Sequence, residues 1–159
     1  MTRIRPVLQF SACCLLLGAS INGQPGLPAT SPAGGAPFFQ ALVKDARTRI
    51  KEISAANFSV LRKEDPTLVL VDVREDNEWN QRRIAGAIHV GRGVLEVNIE
   101  SKVPRKATPI VVYCQGGGRS AVAADVLGKM GYTNVSSLAG GLAAYEAAGL
   151  PVDSPSPPK

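Results

Sequence analysis

The chain has 159 residues, 45% of them hydrophobic, enough for one ordinary core and too few for two full domains. Its net charge of +5 is mild, its Lys and Arg residues are scattered and aromatics make up only 5%, so there is neither a nucleic-acid footprint nor a base-stacking platform. A small anionic substrate would suit this charge, although solubility accounts for it more simply.

Arg3 and Arg5 precede an uncharged run from Val7 to Leu17 and then the small residues Gly18, Ala19 and Ser20. This is the layout of a secretory signal peptide, assigned to 1–23. Its apolar part is shorter than the roughly 20 residues that span a bilayer, so no lasting membrane span is expected. Export to a bacterial periplasm follows. Residues 24–37 are rich in Gly, Pro and Ala without periodicity and read as a flexible linker. Removing the signal removes Cys13 and Cys14 and leaves Cys114 as the sole thiol, which excludes an intramolecular disulfide and any redox cycle that needs a second cysteine.

Phe38, Phe39, Leu42, Val43 and Ala46 recur on one helical face, which predicts an N-terminal helix over 38–49 docked on the domain. Residues 50–53 read as a first strand, and Ser54 as the N-cap of a helix that stops at Asp65-Pro66. Leu68 to Val73 is a nearly unbroken apolar run, as in a parallel strand buried on both faces. Trp79 follows short polar turns and reads as an anchor of the core or of a pocket wall. Ile88-His89-Val90 alternates as a short strand. His89 is the only histidine, and packing is expected of it in preference to catalysis or metal binding. A helix over Val94–Ile99 and a polar loop lead to the strand Ile110–Tyr113. A helix then runs to Met130, followed by a strand over Val135–Leu138, a Gly140-Gly141 turn and a closing helix to Ala148. The Ser/Pro-rich tail 153–159 is expected to be disordered. Strands alternating with helices over 50–152 imply a central five-stranded parallel sheet with helices on both faces, an α/β fold whose ligand crevice lies at the carboxyl ends of the strands.

Cys114 falls in that crevice. Between it and the helix lie Gln115, Gly116, Gly117 and Gly118, and the glycines allow positive φ, so that backbone N–H groups can converge on the sulfur. The helix opening at Arg119-Ser120 adds its free N–H groups, its positive dipole end and a guanidinium. Each of these stabilises negative charge on sulfur, and the pattern predicts a nucleophilic Cys114 in a cradle formed by Gln115, Gly116, Gly117, Gly118, Arg119 and Ser120.

The loop resembles that of the single-domain rhodanese (thiosulfate sulfurtransferase-like) family, whose Cys-x-x-Gly-x-Arg-Ser pattern stands here as Cys114, Gly117, Arg119 and Ser120. Two further stretches are similar to the family's: Leu70 to Glu75 with Glu78-Trp79 and Ile84 to Val90, and Leu138 to Leu142 ending in Gly149 to Val152. Arg82-Arg83 departs from the Gly-His often found there, and Tyr145 stands where many relatives have tryptophan. The resemblance implies a sulfurtransferase that moves a sulfane sulfur from a small anionic donor such as thiosulfate to cyanide or a thiol through a Cys114 persulfide. A protein donor or acceptor is a further possible partner, and no metal or organic cofactor is implied. It also implies that Asp72 and Arg74 give structural support near the site, the simpler reading being an ion pair with Glu75 or Glu78. Arg119 is left between two roles, facing the substrate or bracing the loop.

Two rivals come from other classes. A sulfur-carrier or protein-binding module without turnover would carry the same residues. A cysteine phosphatase or arsenate reductase would also set a thiolate in an amide cradle closed by arginine. Such loops normally put five residues between the two, whereas here Gln115 to Gly118 make four.

Overall fold

The computed structural model describes residues 36–154; the expected signal segment, nearly all of the linker and the end of the tail lie outside them. The first helix, α1 (Pro37–Arg47), starts on a proline, whose fixed φ suits the first turn. Strand β1 (Lys51–Ile53) leads into α2 (Ala55–Glu64), where the Ser54 hydroxyl accepts from the Asn57 N–H at 3.2 Å as an N-cap should. There follow β2 (Val69–Asp72), the short helix α3 (Asp76–Gln81), β3 (Arg83–Ile84), β4 (Ile88–His89) and α4 (Leu95–Lys102). The chain ends in β5 (Ile110–Tyr113), α5 (Gly118–Lys129), β6 (Val135–Leu138), α6 (Gly141–Ala147) and β7 (Val152–Asp153).

Strands β1, β6, β5, β2 and β4 form, in that order, the expected five-stranded parallel sheet. All four residues of β5 are buried, and its side chains alternate between two cores. Ile110 and Val112 join Leu95, Ile99 and Leu127 of the flanking helices on one face. Val111 and Tyr113 join Phe58, Leu142 and Tyr145 on the other. Cys114 continues the alternation onto the first face, where α5 begins. The residue after the central strand is thereby aimed at a helix N-terminus by strand periodicity alone.

Three details depart from the sequence reading. Trp79 sits within α3, half-buried on the surface and not in the core. Asp153, placed in the tail, belongs to β7, which pairs antiparallel with β3 so that Val152 lies opposite the fully buried Ile84. Burial of that apolar pair holds the strand where composition alone suggests a tail. The N-terminal helix ends at Arg47, with Thr48 as its C-cap. Among the described residues no helix is long and apolar enough to cross a membrane.

Candidate active site

Cys114 is 1% exposed and lies at the foot of a hollow of about 350 Å³. The Gly117 N–H donates to its Sγ at 3.2 Å, and it is the one loop amide that reaches the sulfur in this geometry. Gly117 has φ of 87° and is the N-cap of α5, so the positive φ expected of the glycine run serves to turn this amide back onto the sulfur.

The loop is held from the far side by α6. Leu142 N–H donates to the Cys114 carbonyl at 2.8 Å and Ala143 N–H to that of Gln115 at 3.1 Å. These bonds pin the first two carbonyls of the loop away from the sulfur and keep negative oxygen out of the cradle. The approach is so close that a Cβ on Gly141 would lie 2.9 Å from the Gln115 oxygen and closer still to that of Cys114. A Cβ on Gly117 would lie 3.0 Å from the Gly140 nitrogen. Gly140-Gly141, read from sequence as a turn alone, is thus the seat of the loop.

Arg119 pairs with a carboxylate outside the loop. Its Nη1 and Nη2 donate to the two carboxylate oxygens of Glu78 on α3, at 2.6 and 2.7 Å. Glu78 also accepts from the Glu75 N–H at 3.2 Å, which closes the N-terminus of α3. Hydrogen bonding by Arg119 holds the Glu78 carboxyl below its ordinary range, and burial opposes the shift. The same hydrogen bond raises the guanidinium above its own ordinary value. Arg119 still borders the hollow beside Gly116, Gly118 and Cys114, while Gln115 is half-buried next to them. The fully buried Ser120 hydroxyl donates to the Gly117 carbonyl at 3.1 Å, not to sulfur, and receives the Ser137 hydroxyl of β6 at 2.9 Å.

Asp72 and Arg74 are buried and pair with each other, not with Glu75 or Glu78. Arg74 Nε lies 3.0 Å and Nη2 2.6 Å from the Asp72 carboxylate, and the Arg74 N–H donates to it at 2.9 Å. Nη2 also donates to the Arg82 carbonyl at the end of α3, at 2.6 Å. Asp72 is in register with Tyr113, one residue before the cysteine. The pair therefore anchors α3, and α3 presents Glu78 to Arg119. His89 stacks on Trp79 with ring centroids 4.9 Å apart and planes 8° from parallel, while its Nε2 lies 2.8 Å from the Arg74 carbonyl. The Arg83 guanidinium covers the tryptophan ring at 4.3 Å. In place of the usual Gly-His, this chain thus carries an Arg–Trp–His stack away from the sulfur.

The model of the rhodanese-like domain matches residues 55–148, more than half of the chain. The chain belongs to the rhodanese-like domain family. The thiosulfate sulfurtransferase PspE of Escherichia coli is 38% identical over 72 residues, covering 45% of this chain and 68% of that protein. A sulfurtransferase of Allochromatium vinosum is 31% identical over 106 residues, or 67% of this chain and 97% of its own length. Among solved structures, a protein from Rhodopseudomonas palustris described as of unknown function and a possible tyrosine phosphatase superposes with a TM-score of 0.64 at 31% identity, covering 80% of this chain and all of that one. Cys114 thus follows the central strand of a rhodanese-like core; Ser137 carries no mark in the sequence, and Glu78 and Gly140-Gly141 stand in its motifs, but their contacts to Arg119 and to the loop emerge only from the fold.

Proposed function

We propose that this rhodanese-like chain is a sulfurtransferase that uses Cys114 as its nucleophile. The observation that carries the reading is the Cys114 sulfur at the foot of a hollow with the Gly117 N–H on it at 3.2 Å, in a family whose relatives include named thiosulfate sulfurtransferases. The Cys114 thiolate attacks the outer sulfur of thiosulfate, the sulfur–sulfur bond breaks and its electron pair leaves with sulfite. The persulfide that remains is attacked at its outer sulfur by cyanide or a thiol, and the thiolate is restored. Between the two steps the Gly117 amide, the first turn of α5 and the remaining loop amides balance the charge on the sulfur pair. Ser120 and Arg119 contribute by holding this loop still, and Asp72 and Arg74 by holding α3.

Steady-state assay of thiocyanate formation tests it. Parallel lines in double-reciprocal plots against thiosulfate and cyanide are expected, with no turnover by Cys114→Ser. A carrier without turnover would accept one sulfur and stop. The phosphatase reading is weaker: Arg119 is committed to Glu78, and the four-residue interval gives a ring sized for one sulfur more than for a phosphoryl group. Hydrolysis of p-nitrophenyl phosphate is expected to be absent. Export also belongs to this proposal, on the layout of residues 1–23; N-terminal sequencing of the protein recovered from the periplasm checks it.

A further inference from the structure

Phe39, Gln40, Val43 and Arg47, half of the residues that line the hollow over Cys114, come from α1, which precedes the span matched by the family model. Their spacing of three and four puts them on one face of the helix. That face is fixed in place. Val43 and Ala46 are buried, and the Phe39 ring sits so close to the start of α5 that a Cβ on Gly118 would lie 3.2 Å from it. Just past the helix, Arg49 clasps Asp125 of α5 through Nε at 2.8 Å and Nη2 at 3.0 Å, and also holds Asp45 of α1. The α1 wall is therefore a standing part of the site.

Two cations border the hollow, and they are engaged differently. Arg119 has both terminal nitrogens on Glu78. The Arg47 side chain makes a single hydrogen bond within the described residues, from Nε to Glu52 Oε1 at 3.2 Å, and is 43% exposed. Glu52 thus steadies the guanidinium by its inner nitrogen and leaves the Nη1/Nη2 fork, the part that matches an oxyanion, without a protein partner there. Gln40, exposed on the same face, adds a neutral amide donor. Val43, between them along the helix, makes that stretch of wall apolar, and Phe39 extends it toward the helix start.

We propose that Arg47, assisted by Gln40, is the anion-recognition residue of this site and selects donors that carry an oxyanion group beside the sulfur to be transferred. This deepens the sulfurtransferase reading, on which the identity of the reaction rests; the preference for anions at Cys114 does not depend on it.

The test compares alkylation of Cys114 by iodoacetate, an anion, with that by neutral iodoacetamide, in the wild-type chain, Arg47→Gln and Arg47→Lys. The expected result is a drop of roughly 5-fold in the iodoacetate rate for Arg47→Gln, the size of one partly solvated charge, with the iodoacetamide rate unchanged and Arg47→Lys, which keeps the charge and loses the fork, falling between the two. The unchanged iodoacetamide rate shows that the fold and the sulfur are intact. In steady state, Arg47→Gln should raise KM for thiosulfate by about 10-fold with kcat within 2-fold, since it removes binding and not chemistry. An iodoacetate-to-iodoacetamide ratio equal in wild type and Arg47→Gln overturns the assignment. If the ratio falls as expected but the wild type makes no thiocyanate, Arg47 stands as the anion site and thiosulfate sulfurtransfer fails.

Discussion

At the scale of single residues, the site depends on pairs that lie far apart in the chain. Glu78 and Arg119 are 41 positions apart, and nothing in the sequence around either names the other. The sequence therefore leaves the partner of Arg119 open, and the fold supplies one by bringing α3 against the loop. Glu78→Gln should lower stability at neutral pH by about 1 kcal/mol, the upper end for a partly exposed ion pair, and should slow turnover by loosening the loop. The pH dependence has a definite sign. The Glu78 carboxyl is depressed in the folded state, so its contribution is complete above the ordinary value of 4.5 and is lost as pH falls through the lower folded value. The gap in melting temperature between wild type and Glu78→Gln should accordingly narrow below that pH; a gap that widens on acidification would contradict the pairing.

At the scale of elements, what was legible followed from periodicity. Strands β2 and β5 are marked by apolar runs and β4 by its alternation into Val90, whereas β1 and β6 carry only apolar ends, and Ser54 and the glycines after Cys114 mark helix starts by known chemistry. Helix α3 has the look of polar turns in the sequence because it buries no residue and so shows no apolar stripe. Strands β3 and β7, two residues each, are too short for a period and exist through their mutual pairing. The Gly140-Gly141 seat was visible as glycines, but its purpose needed the loop to be set against α6. Gly141→Ala forces a Cβ onto the carbonyls of Cys114 and Gln115 at a φ of +59°. A loss of about 2–3 kcal/mol in urea unfolding is expected, in the range of substitutions that combine backbone strain with a steric clash, together with loss of Cys114 reactivity. Full activity in Gly141→Ala would show that α6 does not set the loop.

At the scale of the whole molecule, the N-terminal helix is part of the site, not an appendage. The sequence predicted its docking from two phenylalanines and their helical spacing, yet Phe38 is 89% exposed while Val43 and Ala46 carry the burial. The charges around Arg49 fix its end: hydrogen bonds from Arg49 and Lys129 hold the Asp125 carboxyl well below the usual carboxylate range. Arg49→Met is expected to lower the melting temperature, through loss of the charge-assisted hydrogen bonds to Asp125 and Asp45. It should speed amide exchange over 37–47 while leaving β5 protected. Equal acceleration across both segments would mean that α1 and the sheet unfold as one unit.

The central claim is that sulfur passes through Cys114, and the most direct measurement is intact mass after exposure to thiosulfate, then to cyanide, for the wild type beside Cys114→Ser. A gain of about 32 Da on the wild type that cyanide removes, with no change in Cys114→Ser, is the predicted result. An unchanged mass on a wild-type thiol that still alkylates with iodoacetamide, or the same gain on Cys114→Ser, would contradict it.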